Sequence, residues 1–471
     1  MSERSRPGVV FAVTALGVFM GSLDLSVVNV AFPSLEASFP GDTTAALTWV
    51  LTGYGIVFGA LLVTAGRTAD RVGGRRVFFA GLLVFCAGSA LCGFAPSLPD
   101  LVAGRLVEGA GAAAMLPSSL GLILGAFPAE RRAQVVAAWS GVGALAVATG
   151  PTIGAALVAL ASWRLVFSVN LPLGLAAYVA GRRVLAPGDG IDAGAAPDYP
   201  GVALVTAALA ALVLGIAEGP GWGWSSPAVV AAFVGSVLVG AAFVRRSARH
   251  PAPVLDLSLF AERSFAVANA ATLLYAMGFF AMLLGNILFL TGVWHWSILA
   301  AGLAVTPGPL VVAAVSWPAG RLAARVGFRP VLGAGAVLFA GGLASYATRV
   351  GVRPDYLGAW LPAVLVTGVG IGLTFPVLGA AAVSSLPPDR FAVGSAVNQT
   401  ARQVGGALGI ALLAVLLGAA STGPAALSHF RHLWWFAAAM AVASGLASLL
   451  LERPAPRRPA PSPLAGASRP A

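Results

Sequence analysis

About fourteen runs of roughly 20 apolar residues, parted by short breaks bearing Arg, Gly or Pro, follow one another through the chain. A helix of that length spans a hydrocarbon core about 30 Å thick. Charged residues make up only 10% of the sequence, against roughly 25% in soluble domains. A water-soluble fold could not cover its own surface with so few. The 471 residues therefore read as one all-α integral membrane unit rather than a string of soluble domains.

Candidate spans fall at roughly 9–33, 45–65, 77–95, 100–126, 134–160 and 165–181, then 200–217 and 227–244. Six more follow at roughly 265–290, 298–319, 330–348, 358–379, 392–418 and 432–451. The arrangement is six, two and six. It divides the chain into a first six-helix half (1–185), a loop with an inserted helix pair (186–250), a second half (251–452) and a disordered cytoplasmic tail (453–471).

All 28 basic residues are Arg. The net charge of +11 is explained by the positive-inside rule and calls for no nucleic-acid partner. With the N-terminus placed inside, 22 of the Arg fall on the cytoplasmic side, from Arg4 and Arg6 to Arg469, and only four fall outside. The remaining two lie within spans. A missed or invented span would scramble this asymmetry, so both termini are expected in the cytoplasm. The first apolar run is too long for a cleaved signal peptide and reads as an uncleaved helix. Cys86 and Cys92 share one span and read as packing residues.

An internal repeat supports the layout. Gly66-Arg-Thr-Ala-Asp-Arg-Val-Gly-Gly-Arg-Arg76 recurs as Gly320-Arg-Leu-Ala-Ala-Arg-Val-Gly-Phe-Arg-Pro330, with seven of eleven positions shared. Each copy follows the second helix of its six-helix set. Two parallel halves with a substrate path between them fit one class of transporter repeat.

Four local signatures resemble those of the major facilitator superfamily, specifically its fourteen-helix drug:proton antiporters of the EmrB/QacA type. They are Leu23-Asp-Leu-Ser-Val-Val-Asn-Val-Ala-Phe-Pro33, the Gly66–Arg76 loop around Asp70, Arg105-Leu-Val-Glu-Gly109, and Gly150-Pro-Thr-Ile-Gly154. Segments 163–174 and 398–406 are also similar to this branch. The sequence departs from the family pattern at Thr68, Gly74, Ala155 and Glu108, where Gln is usual. The resemblance implies proton-coupled export of small lipophilic molecules. It also implies that Asp70, with Arg71 and Arg75, latches the two halves, and that Gly150, Pro151 and Gly154 form a hinge or seal against leak.

Charge in the membrane marks the candidate site. Asp24 lies about 15 residues into the first span, hence about 22 Å deep and about 8 Å from the outer edge. Arg105 and Glu108, three apart on one face of an oppositely running helix, fall about 6 and 10 Å below that edge. Each lone charge would cost about 2.5–3.5 kcal/mol on insertion scales, so pairing is expected. One reading is a static Arg105–Glu108 pair with Asp24 lining a wet cavity. The other is proton coupling: a carboxylate facing an arginine is held ionised and one facing apolar surroundings is driven neutral. Arg105 switching between Asp24 and Glu108 would then load and release a proton.

Arg402, near the midplane of its span, fits either a substrate or gate contact or bonds to neighbouring carbonyls. Asn29, Asn286 and Asn398 are candidate cavity residues, with interhelical hydrogen bonding as the alternative for the first two. Pro151 leaves the carbonyl of Val147 without its usual partner, which permits a kink or close packing. Asp70 stands where the repeat has Ala324 and is either a surface charge or the latch. Trp222, Trp224 and the stretch Trp294-His295-Trp296 read as interfacial belt.

No phosphate-binding loop, metal-ligand spacing or nucleophile–base set is present. The expectation is a non-enzymatic, cofactor-free and metal-free transporter of the cytoplasmic membrane. Its partners would be a small molecule, protons and the bilayer, and it would work as a monomer. Export of a lipid or endogenous metabolite, and a transporter-like sensor, are the competing readings. With Arg105 engaged by one acid, the other is expected to accept a proton or a cation, favouring neutral or monocationic substrates over dications.

Overall fold

The computed structural model describes residues 7–185, 197–387, 390–418 and 426–451. Arg4, Arg6 and the proposed tail lie outside the described residues. The first six spans are α1 (Pro7–Ser38), α2 (Thr44–Val72), α3 (Gly74–Gly93), α4 (Leu98–Ala126), α5 (Ala129–Leu160) and the pair α6 (Arg164–Ser168) and α7 (Asn170–Val184). Then come α8 (Tyr199–Trp222) and α9 (Pro227–Ser247). The last six are α10 (Arg263–Gly292), the pair α11 (Ile298–Val305) and α12 (Pro307–Val326), α13 (Phe328–Arg349), α14 (Leu361–Ser384), α15 (Phe391–Leu417) and α16 (Ala426–Ser448).

Twelve of these spans, among the described residues, are long and apolar enough to cross a membrane, and the bent α5 makes a thirteenth. The remaining helix, α16, has 23 residues, a length of about 34 Å.

The two halves repeat each other in packing. In the first, α3 lies on α4, α2 on α4, and α1 against α5 and α7. In the second, α13 lies on α14, α12 on α14, and α10 against α15 and α16. One close crossing in each half matches the other atom for atom. A Cβ on Gly111 of α4 would collide with the backbone of Phe85 and Gly81 on α3, and one on Gly370 of α14 with that of Phe339 and Gly335 on α13. Only glycine permits such an approach, which gains backbone contact where no hydrophobic effect drives helices together.

The inserted helices α8 and α9 pack on each other, and α8 also lies along both α2 and α15. Ile56, Val213, Ala217, Ala407 and Ala411 form the apolar core of that three-way contact. Asp198 caps α8 at the Gly201 amide and pairs with Arg246 of α9 at 2.5 Å.

The repeated segment departs from the loop expected of it. Residues 66–72 are the last turns of α2 and 320–326 those of α12. The chain reverses at one glycine in each, Gly73 (φ 100°) and Gly327 (φ 90°), which occupy the same position of the repeat. Positive φ is cheap only for glycine, so one residue replaces the loop. Trp294 also departs from its expected place: it is buried among Phe289, Trp296 and Trp360 and donates to the Gly351 carbonyl. Trp222 and Trp224 are exposed.

Candidate functional site

Three ionisable side chains meet in the core of the first half. Asp24 of α1 and Arg105 and Glu108 of α4 have side chains with no solvent exposure. Arg105 Nη1 donates to Asp24 Oδ2 at 2.6 Å and to Glu108 Oε2 at 2.7 Å. Its Nε donates to the Val50 carbonyl at 2.8 Å. The guanidinium lies 4.1 Å from the centroid of the Tyr54 ring. Arg105 thus engages both acids at once in this conformation.

The two acids are held very differently. Glu108 Oε1 accepts a short hydrogen bond from Ser89 Oγ and a longer one, 3.4 Å, from Asn170 Nδ2. Asn170 also donates to Ser89 Oγ at 3.1 Å, and Cys92 Sγ stands 3.7 Å from Glu108 Oε2. Donors from α3, α4 and α7 therefore fix Glu108. Gly88 lets α3 come this close, since a Cβ there would sit 2.5 Å from the Glu108 amide nitrogen. Asp24 Oδ2 accepts from Arg105, its carboxyl also meets that of Glu108, and its Oδ1 is buried without a donor among the described residues.

Arg105 forms part of the wall of a narrow pocket between α1, α2 and α4 on one side and α10 and α15 on the other. Asn29, Gly55, Phe280 and Gln403 also line it. The Asn29 amide nitrogen is spent on the Leu25 carbonyl, while its Oδ1 and Arg105 Nη2 are buried without partners. Neither Asp24 nor Glu108 lines the pocket.

The other candidates scatter. Asn286 accepts from Trp434 Nε1 at 3.0 Å, and Asn398 donates to Asn269 Oδ1 and Thr272 Oγ1 at 3.3 and 2.9 Å. Both are engaged within the second half. Arg402 is half-buried, its guanidinium 4.4 Å from the centroid of the Phe375 ring. Among the described residues no hydrogen bond or ion pair reaches it, and its Nε is buried without a partner.

Gly150, Pro151 and Gly154 lie in a close-packed contact beside a bend in α5. Gly150 rests on Ser26 and Gly154 on Val27, both of α1. The helix bends by 44° between 141–147 and 149–160. Ser26 Oγ donates to the Val147 carbonyl, replacing the donor that Pro151 lacks. On the other side, Gly302 of α11 lies against the Pro151 carbonyl and Ala155, and Thr152 and Thr306 bond at 2.7 Å. The glycine missing at position 155 is supplied by the opposite half.

Asp70 and Arg71 are exposed, and no hydrogen bond or ion pair joins Asp70 to another described residue. Arg75 lies over Phe79 and donates weakly to the Arg182 carbonyl at 3.4 Å. The link from this end of α2 toward the second half is made by Arg67, which donates to the Pro253 carbonyl at 2.7 Å.

Sequence reasoning missed Ser89, Asn170, Tyr54, Ser26 and Arg67. Asn170 sits within the quoted 163–174 segment, a signal that could have found it. Ser89 and Ser26 look like ordinary small residues of apolar helices.

The family model for the Major Facilitator Superfamily matches residues 14–266 and 268–471. A Multidrug resistance protein B homolog of Mycobacterium tuberculosis (strain ATCC 25618 / H37Rv) is 34% identical over 408 residues, 86% of this chain and 75% of the relative. The Tetracenomycin C resistance and export protein of Streptomyces glaucescens is 31% identical over 418 residues, 88% and 76% of the two chains. An auto-inhibited POT-family peptide transporter has a similar fold, with a TM-score of 0.66 at 18% identity over 96% of this chain and 98% of that one.

Proposed function

Because the chain belongs to the Major Facilitator Superfamily and is a membrane transporter, we propose that it exports small lipophilic organic molecules in exchange for protons. The names of its relatives, with drug resistance and export among them, support the efflux direction. The cytoplasmic membrane is its site, with both termini inside, and a single chain suffices. Residues 1–185 and 251–452 act as the two moving halves around the inserted pair.

One observation carries the proton coupling: the unequal tethering of the two acids around Arg105. Glu108 is anchored by Ser89 and Asn170 besides Arg105 and serves as a standing counter-ion. Asp24 has Arg105 as its ion-pair partner and otherwise faces only the Glu108 carboxyl. Asp24, Arg105 and Glu108 sum to one negative charge when all are ionised, which is costly in a site without solvent. A proton on Asp24 removes that charge and the attraction holding α1 to α4. Because α1 also rests on α5 through Ser26 and Val27, its release bears on the seal that α5 makes with α11. Proton loading and a change of access are thereby coupled.

The seal at Pro151, Ala155 and Gly302 lies toward the Arg-poor end. With that end taken as the outer one, this conformation reads as closed to the outside and poised to bind from the cytoplasm. Everted vesicles carrying the chain should take up an aromatic dye when their interior is acid. A proton uncoupler should abolish that uptake. Uptake that persists with the uncoupler would refute proton exchange.

A further inference from the structure

Arg105 is the one charged residue in the pocket wall. Neither carboxylate of the buried triad lines the pocket, whereas Arg105 does, with Nη2 unpartnered. One residue along α15 from the pocket-lining Gln403 stands Arg402, half-buried and without an acid partner among the described residues. An uncompensated guanidinium inside a membrane protein is costly, and a structural arginine normally spends its donors on carbonyls or carboxylates. Arg402 spends none on a described residue, and its buried Nε has no partner.

What surrounds it is aromatic. The guanidinium lies over Phe375 at 4.4 Å. Phe279 meets Phe375 edge-on at 4.9 Å and Phe280 at 5.1 Å, and Phe280 continues into the pocket wall. All three rings are only partly buried. Ring edges and faces of this kind accept a flat π-system. The planar fork of an arginine suits an oxyanion better than a point charge does.

We propose that Arg402, with Phe375 and Phe279, anchors substrates that carry a planar aromatic body and an acidic oxygen, such as a carboxylate or phenolate. This rests on the export reading and replaces the monocation expected when one acid was thought free. The acids serve the proton and the arginine serves the substrate, so the two charges do not compete for one site. Export of the anion against entry of a proton then moves net positive charge inward, and an inside-negative membrane potential drives it.

Fluorescein and rhodamine 6G share a three-ring xanthene body and differ in charge, which makes them suitable probes. The full chain in everted vesicles with an acid interior should accumulate anionic fluorescein in preference to cationic rhodamine 6G. Arg402→Gln should raise the half-saturating fluorescein concentration roughly tenfold, the loss expected for a charge-assisted hydrogen bond. Arg402→Lys should recover part of that loss, and Phe375→Leu should weaken fluorescein without turning preference toward the cation. Preference of the parent for rhodamine 6G overturns the proposal. So does an Arg402→Gln variant that loses both dyes equally or neither. If neither dye accumulates, the export reading fails. Fluorescein anisotropy with the purified chain then decides the anchor separately: binding weakened by Arg402→Gln supports it, and binding unchanged overturns it.

Discussion

Ser26 Oγ on α1 donates to the Val147 carbonyl on α5 at 3.1 Å, the carbonyl that Pro151 deprives of its helical partner. A kink that would otherwise leave an unmet acceptor is thus satisfied by the helix that carries Asp24. The same serine fills the space beside Gly150, where a Cβ would collide with its side chain.

Ser26→Ala should lower stability by about 0.5–1.5 kcal/mol, the usual net value of one hydrogen bond. Gly150→Val should do worse, forcing α1 and α5 apart and breaking the seal with α11. Thermal unfolding in detergent checks the first, and passive proton leak into proteoliposomes checks the second. A tight, fully active Gly150→Val variant would show that the contact has no sealing role.

The matched crossings make a symmetric prediction. Gly111→Ala and Gly370→Ala each place a methyl against the partner helix backbone, and overpacking of this kind costs about 1–3 kcal/mol. Thermal unfolding should show similar losses for both. A neutral result at one site and a large loss at the other would break the equivalence of the halves.

The sequence exposed the spans because bilayer thickness and backbone satisfaction leave few options. It also exposed the Asp24, Arg105 and Glu108 cluster, since helix rise alone puts the three at one depth. The tethering of Glu108 was hidden. It depends on Ser89 and Asn170, brought from α3 and α7 by packing that periodicity does not encode. The helical character of 66–72 was obscured because polar residues in a helix extending past the membrane look like a loop. Gly302 could not be read as the substitute for a glycine at 155, because the two positions lie in different halves and meet only in the assembled fold.

Asp70→Asn should leave the protein folded and in the membrane but impair transport by shifting the balance of access states. Asp70 makes no hydrogen bond or ion pair with a described residue here, and the prediction is that it finds its contact in the other access state. Cysteine labelling from each side, compared between parent and variant, checks this. Normal transport with unchanged labelling would make Asp70 a plain surface charge. Arg67→Ala should shift labelling the opposite way, since its bond to Pro253 is made here.

The Arg asymmetry predicts the orientation. Reporter fusions at Gly41, Gly221 and Trp294 should read outside, and a fusion at Pro251 inside. An inside reading at Gly221 would remove α8 and α9 as a spanning pair. A further fusion at Gly188, outside the described residues, should also read inside.

The central claim is that Asp24 carries the exchanged proton while Glu108 stays an anchored counter-ion. Purified chain in proteoliposomes, with a pH gradient imposed and a dye that the parent transports, tests it directly. Asp24→Asn should abolish gradient-driven dye movement, a loss of roughly a hundredfold or more if one proton-transfer group is essential, while dye binding survives. Glu108→Gln should keep a substantial part of the transport, since an amide can still bond Ser89 and Asn170. Full gradient-driven movement by Asp24→Asn, with loss instead in Glu108→Gln, would contradict the account.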